Sequence, residues 1–191
     1  YDGAKRGYID RNGNIVIDSK KDKVWPMTSY GTVIKDSGKL CFVNRKGEIV
    51  IQPGDYDAGE MDKFNGLLAL KDNSSDKWGV FDVSTGKQVV SFKYDSISFA
   101  GTDRLVVVKD HVKNLINMST GKSLYSAQTE ATIEPFNSDT VTWVHTGKDA
   151  YTIIDNDGHV LFRDTNNIIE DVKPFNHGFS SVKSKGKWGV M

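Results

Sequence analysis

The sequence contains a single cysteine, Cys41, and no long run of apolar residues. One cysteine excludes an internal disulfide and a cysteine-based zinc site. No segment approaches the roughly 20 apolar residues that a transmembrane helix needs, so we expect no membrane insertion. Net charge is also absent, because 25 Lys and Arg residues balance 25 Asp and Glu residues. This balance argues against bulk electrostatic capture of nucleic acid or of an anionic membrane.

The composition is that of a folded protein. Hydrophobic residues make up 38% and charged residues 26% of the 191 positions, and this mixture is typical of a folded chain rather than a disordered one. The chain opens on Tyr1-Asp2-Gly3 rather than on Met, which we interpret as a mature product or an excised piece of a longer protein.

A short motif recurs five times along the chain. Two apolar residues precede an Asp or Asn, and a Gly follows three residues later, or four in the third and fourth copies. The Asp or Asn positions, spaced 34 to 38 residues apart, are Asp10, Asn44, Asp82, Asn117 and Asp155. A repeat at this spacing is typical of arrays of small units that share one hydrophobic core.

Two further columns of residues keep the same period. The first, the cation column, closes a short apolar run in each unit and consists of Lys35, Lys71, Lys109, His145 and Lys183. The second, the aromatic column, lies about eight residues earlier and consists of Met27, Phe64, Phe99, Phe136 and Phe175. Together the columns predict one repeat domain spanning residues 1–191. Its units are 4–37, 38–75, 76–110, 111–147 and 148–184, followed by a partial sixth unit at 185–191.

Each unit predicts three short strands and no helix. β-Branched and aromatic residues dominate the runs before the Asp, after the Gly and before the cation. An Asp that accepts backbone hydrogen bonds, followed by a Gly in the left-handed conformation, predicts a hairpin between the first two strands. The expected fold is all-β, with tandem three-stranded β-meander repeats arranged as a propeller-like ring; the alternative is an open β-solenoid. We expect the aromatic column to fill the gaps between units.

Several segments resemble the signature of the bacterial WG-repeat (KWG-repeat) family. They are Lys77–Val90, Lys187-Trp188-Gly189-Val190 and Tyr94-Asp95. The positions of the Trp-Gly pair in the other units hold Arg6-Gly7, Leu40-Cys41, Lys113-Asn114 and Tyr151-Thr152. The resemblance implies a bacterial protein, often exported or attached to the surface, whose repeats act as interaction or scaffold modules. It implies no catalytic residues.

Two turns begin like calcium-binding loops. Asp155-Asn156-Asp157-Gly158 is the clearer example, but the equivalent turn Asn44-Arg45-Lys46-Gly47 carries a Lys, and the glutamate that usually completes such a site is absent. We therefore interpret these segments as turns, and we expect neither a metal site nor a cofactor. Cys41 replaces the Gly of the Trp-Gly pair, which predicts a small buried side chain.

The candidate ligand-binding residues are the cation column and two tryptophans. If all units share one geometry, Lys35, Lys71, Lys109, His145 and Lys183 lie on one rim and face an acidic polymer or partner. The alternative is that each strand ends in a solvated cation that discourages edge pairing. Trp25 and Trp143 lie outside the repeat motif, and an exposed Trp is a common platform for sugars or a hot spot for proteins. Buried packing is the alternative for both rings.

The repeat, which carries no constellation of polar catalytic groups, predicts a non-catalytic module for protein interaction or scaffolding, and the family resemblance implies that it is extracellular or at the bacterial cell surface. The first alternative is a module that binds carbohydrate or a cell-wall polymer through the tryptophans or the cations. A third hypothesis is glycan hydrolysis by a carboxylate pair, since Asp55, Asp57 and Glu60 are close in sequence, but sequence proximity does not set the separation that this reaction requires.

Overall fold

The computed structural model describes residues 6–63, 65–137, 140–146 and 149–191. Every regular element in these ranges is a β-strand. Within the same ranges, no helix has the length and apolarity to cross a bilayer. Phe64 of the aromatic column lies outside the described residues. The chain divides into two compact units, residues 1–94 and 95–191.

The first compact unit contains three antiparallel sheets. The first sheet consists of β1 (Arg6–Ile9) and β2 (Ile15–Lys21). The second sheet consists of β3 (Lys23–Val24), β4 (Gly31–Asp36), β5 (Lys39–Asn44) and β6 (Ile49–Gly54). The third sheet consists of β7 (Tyr56–Asp62), β8 (Leu67–Asp72), β9 (Lys77–Asp82) and β10 (Gln88–Tyr94).

The second compact unit also contains three antiparallel sheets. The fourth sheet consists of β11 (Ser96–Gly101), β12 (Arg104–Lys109), β13 (Val112–Asn117) and β14 (Ser123–Gln128). The fifth sheet consists of β15 (Thr132–Ile133), β16 (Val141–Thr146), β17 (Asp149–Asp155) and β18 (Val160–Arg163). The sixth sheet consists of β19 (Ile169–Val172), β20 (Ser181–Ser184) and β21 (Lys187–Val190).

Each sheet is a meander, because strands that are consecutive in sequence are also neighbours in the sheet. The predicted hairpin between the runs before the Asp and after the Gly is confirmed. It forms the third and fourth strands of each four-stranded sheet, such as β9 and β10. The second strand of each of these sheets, such as β8, is the apolar run before the cation. In the predicted unit boundaries, this run belongs to the unit before the one that supplies the hairpin. The first strand, such as β7, is an addition to the three strands that the sequence predicts.

The hairpin turns use the Asp or Asn side chain as the sequence predicts. Asp10 Oδ1 accepts the backbone N–H of Asn12 at 2.8 Å, and Asn44 Oδ1 accepts that of Lys46 at 2.9 Å. Gly13 closes its turn with φ +83°, a value that glycine adopts without strain. The polar atoms of these residues therefore stabilise the turn, as the repeat pattern indicates.

We expect Asp82→Asn to preserve stability at neutral pH, because Asn44 and Asn117 already serve at this position, whereas Asp82→Ala should lose about 1 kcal/mol of hydrogen bonding. The Ser84 hydroxyl lowers the pKa of Asp82. A lowered pKa in the folded state contributes stability that is lost as the pH falls through that value. The urea midpoint should therefore fall less between pH 7 and pH 3 for Asp82→Asn than for the native chain. An equal fall of the midpoint in both proteins contradicts this account.

Consecutive sheets pack face to face within each compact unit. Ile17 of the first sheet and Val43 of the second share one hydrophobic cluster. Similar clusters join the second sheet to the third, the fourth to the fifth and the fifth to the sixth. Phe136 and Phe175 of the aromatic column are buried in the last two of these clusters, as predicted for residues that fill gaps between sheets. The approach is close, since a Cβ on Gly86 would lie 2.1 Å from the carbonyl oxygen of Val50.

Candidate functional site

A cleft of about 260 Å³ opens between the second and third sheets, and we call it the Trp25 cleft. Its walls come from β4, β7 and β8 and from the segments that follow β3 and β7. The residues that line it are Trp25, Pro26, Met27, Thr28, Ser29, Thr32, Val33, Ala58, Gly59, Met61, Lys63 and Leu68. The lining is mostly apolar, as is usual for a site that receives an apolar group.

The backbone of Trp25 is held by three hydrogen bonds. Its N–H donates to the carbonyl oxygen of Val33 at 3.0 Å. Its own carbonyl oxygen accepts the Thr32 hydroxyl at 2.6 Å and the Tyr8 hydroxyl at 2.7 Å. Since Tyr8 belongs to the first sheet, two sheets fix the position of this residue. A tryptophan held in this way presents a large surface at little cost in conformational entropy.

The floor of the cleft is rigid and part of its wall is adaptable. Val33 and Leu68 are buried in the cluster between the two sheets. Met27 and Met61 are only partly buried, and methionine side chains adjust readily to the shape of a bound group. The cleft therefore combines a fixed aromatic surface with flexible thioethers.

Two lysines lie at the cleft. The Lys23 Nζ lies 4.2 Å from the centroid of the Trp25 ring, so an ammonium group covers one face of the indole. Lys63 is the cation among the lining residues, and those in the described part of the chain include no carboxylate. General acid–base chemistry by paired carboxylates therefore finds no support in this cleft.

The tryptophan of the repeat motif supports the cleft from behind. The pairing of β7 with β8 shifts register between Ala58 and Met61, so β7 bulges there. Trp78 packs over this bulge, where a Cβ on Gly59 would lie 2.4 Å from its ring. The motif tryptophan thus shapes the strand that forms one wall of the Trp25 cleft.

Trp143 lies in the core and presents no surface to a ligand. Its exposed fraction is 0%, its ring stacks on Phe175 with centroids 5.5 Å apart, and its Nε1 donates to the Ser180 Oγ at 2.9 Å. The structure therefore places the two candidate tryptophans in different surroundings. Trp25 lines a cleft, and Trp143 joins the fifth sheet to the sixth.

Most of the cation column lies beside carboxylates. Lys71 forms an ion pair with Asp76. The Lys183 Nζ lies 3.8 Å from the Glu170 Oε2, and the His145 Nε2 lies 3.3 Å from the Glu134 Oε1. These neighbours reduce the positive potential that the column presents to an acidic polymer.

One member of the cation column, Lys109, is out of register with Lys35. Lys35 lies two residues before a turn formed by Ser37 and Gly38, because Asp36 pairs with Lys39. Lys109 instead pairs directly with Val112 across a two-residue turn and lies one residue before it. Adjacent strand residues point to opposite faces of a sheet, so Lys109 and Lys35 do not share a face of their sheets.

The three carboxylates proposed for glycan hydrolysis lie outside the Trp25 cleft. Asp55 accepts a hydrogen bond from the Asn73 amide at 2.9 Å. Asp57 is exposed on β7 opposite Lys71, and Glu60 is exposed at the bulge of the same strand.

Met61, Gly59 and Lys63 are site residues that the sequence does not indicate, because β7 and the residue after it carry no clear apolar alternation. Met27 is different, since it belongs to the aromatic column and is the only Met among its Phe residues. That exception is a signal in the sequence for a residue that lines the Trp25 cleft.

Comparison with known proteins supports the repeat. A family model described as WG containing repeat matches residues 7–34, 42–74, 78–110 and 168–188, together more than half of the chain. A search of curated proteins returned no match.

The chain is also similar in fold to several solved structures. With the computationally designed Ika8 protein it has a TM-score of 0.50 and 13% identity, covering 94% of this chain and 62% of that one. With a eukaryotic initiation factor the TM-score is 0.53 at 12% identity, covering 88% and 50%. With BamB from Moraxella catarrhalis it is 0.44 at 15% identity, covering 95% and 62%. The chain thus spans less than two thirds of the length of each.

Proposed function

This chain belongs to the WG-containing repeat family, and we propose that it is a non-catalytic module that binds a protein partner through the Trp25 cleft. Repeated β-sheets of this kind serve other proteins as rigid supports for binding surfaces. The observation that carries the proposal is the cleft itself, in which a fixed indole, two methionines and a buried apolar floor meet. Such a combination suits an apolar side chain of a partner.

The composition of the cleft favours binding over catalysis. Its lining in the described residues provides one cation, Lys63, and hydroxyls but no carboxylate that could serve as a general base. The Thr28 hydroxyl is engaged in its own loop, where it donates to the carbonyl oxygen of Gly31 at 2.7 Å. The cleft suits an apolar side chain of the partner, and Lys63 suits an acidic residue next to that side chain.

Replacing Trp25 with Ala should weaken partner binding by about 30-fold or more, because a tryptophan hot spot contributes 2 kcal/mol or more. The measurement starts by capturing partners from an envelope extract of the source organism and then determines the affinity of each identified partner by calorimetry. Trp188→Ala is the matched control, since its ring lies 48% exposed on another sheet. Equal binding by both variants would remove the cleft from the function.

The alternative function is binding of a carbohydrate or cell-wall polymer, and Trp25 is again the residue that favours it. A sugar ring stacks on the face of an indole, and Lys23 already covers one face of this one. A glycan array decides between the two functions. Binding that Trp25→Ala abolishes and Trp188→Ala preserves supports the sugar; no binding leaves the protein partner.

The place of action that we propose is the bacterial cell surface or the extracellular space, where scaffold modules of this family are expected. Its test is fractionation of the source organism with an antibody against the chain. Recovery from the envelope or the medium supports the proposal, and recovery from the cytosol alone contradicts it.

A further inference from the structure

A second cleft lies on the opposite face of the second sheet, between it and the first sheet. Its volume is about 440 Å³, and we call it the Cys41 cleft. Val33 lines the Trp25 cleft while its neighbour Ile34 lines the Cys41 cleft, as expected for adjacent residues of one strand. The two clefts are therefore separate sites, and binding in the Cys41 cleft does not depend on the function proposed for the Trp25 cleft.

The repeat shows why the Cys41 cleft is open. Between the second and third sheets, the same region is filled by three rings, with Phe81 and Phe92 centroids 5.8 Å apart and Tyr56 stacked on Phe92 at 5.7 Å. The strand pairing identifies the equivalents of two rings in the second sheet. Phe81 corresponds to Val43, and Phe92, two residues beyond Val90, corresponds to Pro53, two residues beyond Ile51.

Both equivalents line the Cys41 cleft. Small side chains thus stand where the next interface carries aromatic rings. The floor is apolar and buried. It consists of Ile17, Ile34 and Cys41, which have exposed fractions of 5%, 5% and 3%. The cleft therefore lies approximately where the next interface holds aromatic rings, and its apolar lining suits a ring that the chain itself does not supply.

Charged side chains of both signs line the rest of the cleft. The Lys21 Nζ donates to the Asp36 Oδ2 at 2.5 Å, and this pair links the first sheet to the second. Lys21 is 23% exposed and Asp36 is 44% exposed, so both remain accessible from solvent. Asp18 and Lys39 add one further charge of each sign. Two cations and two carboxylates complement a ligand that is neutral overall but carries both charges.

We infer that the Cys41 cleft binds a small aromatic zwitterion, the chemical class of a free aromatic amino acid. The ring enters between Val43 and Pro53 and lies on the apolar floor. The carboxylate of the ligand contacts Lys21, and its ammonium group contacts Asp36. The ligand thereby divides the existing ion pair and satisfies both partners.

Phenylalanine is the probe, and Cys41 is the reporter. Cys41 is the sole cysteine of the chain and forms part of the floor, so its alkylation by iodoacetamide follows opening of this cleft. At a phenylalanine concentration about ten times its Kd, alkylation should be about tenfold slower, because only the unliganded form reacts. Unchanged alkylation at every concentration up to solubility overturns the inference.

Variants that supply the missing ring are the decisive control. Val43→Phe places the side chain of the equivalent Phe81, and Pro53→Phe places that of Phe92. Either variant, when its urea midpoint shows that it folds, should bind no phenylalanine by calorimetry. Binding equal to that of the native chain places the ligand elsewhere and refutes the site. If one of the two variants fails to fold, the other is sufficient to test the site.

Three related probes test the zwitterionic class. Phenylacetate lacks the ammonium group, phenethylamine lacks the carboxylate, and toluene lacks both. Each should bind at least about tenfold more weakly than phenylalanine, because phenylacetate and phenethylamine can each pair with only one of the two cleft charges and toluene with neither. Equal affinity for all four probes contradicts the assigned class. Lys21→Met should remove the advantage of phenylalanine over phenethylamine, and a retained advantage contradicts the role of Lys21.

Discussion

Replacing Trp143 with Ala is expected to lower the free energy of unfolding of the second compact unit by about 3–5 kcal/mol. The indole is fully buried, stacks on Phe175 and meets Tyr151 edge-on with centroids 6.0 Å apart. Its removal leaves a cavity between the fifth and sixth sheets that rigid strands fill poorly. A loss of this size is a large share of the roughly 5–15 kcal/mol that stabilises a typical domain. Urea unfolding followed by circular dichroism measures it.

Trp188→Ala is the matched control for this prediction. Trp188 belongs to the repeat motif, but it is 48% exposed on β21, and the Lys173 Nζ lies 5.2 Å from its ring centroid. Losing that contact and little buried area should reduce stability by less than about 1 kcal/mol. Equal losses in both variants contradict the packing described for Trp143.

Trp143 shows why the sequence left two interpretations of this residue open. Thr142, Trp143 and Val144 follow one another in β16, and all three are buried. A strand with one wet face alternates buried and exposed residues, but the fifth sheet packs against a sheet on each side. Both faces of the sheet are then buried. The local pattern of apolar and polar residues therefore does not reveal whether a tryptophan is a surface platform or a core residue.

The hairpins were predictable because their signal is local. An Asp or Asn, a Gly and flanking β-branched residues determine the turn through bonds within a few residues of one another. The first strands carry no such signal. β3 is only two residues long, and β7 includes Gly59 and Glu60 at its bulge. The Trp25 cleft takes part of its wall from β7 and from the segment after β3, so that part of the wall was not visible in the sequence.

Lys109 illustrates a second limit of sequence columns. Spacing alone assigns it to the column of Lys35, but the turn that follows decides its register. Asp110 and His111 both adopt positive φ, 51° and 63°, and form a two-residue turn directly after Lys109. Neither residue is a glycine, so the usual mark of such a turn is missing from the sequence. A shift of one residue then places the side chain on the other face.

The glycine of the Trp-Gly pair has a packing role that the sequence does not reveal. In the third sheet, a Cβ on Gly79 would lie 2.7 Å from the carbonyl oxygen of Val90 on β10 and 3.0 Å from the Phe92 ring. The second, fourth and fifth sheets hold a larger residue here, namely Cys41, Asn114 and Thr152, and the fourth strand lies beside it. The Asn114 Oδ1, for example, accepts the Ser126 hydroxyl at 2.6 Å. The identity of this residue and the course of the fourth strand therefore depend on each other.

We accordingly expect Gly79→Ala to destabilise the first compact unit by about 1–3 kcal/mol, the usual cost of overpacking a fitted site. Gly189→Ala provides a control within the same motif. The sixth sheet has three described strands, and a Cβ on Gly189 meets no atom within 4 Å. Its effect should stay within about 0.5 kcal/mol. Urea midpoints of the two variants decide, because the contact with β10 is the difference between the two sites. Equal stability in both would mean that β10 yields to the added methyl group and that packing does not require the motif glycine.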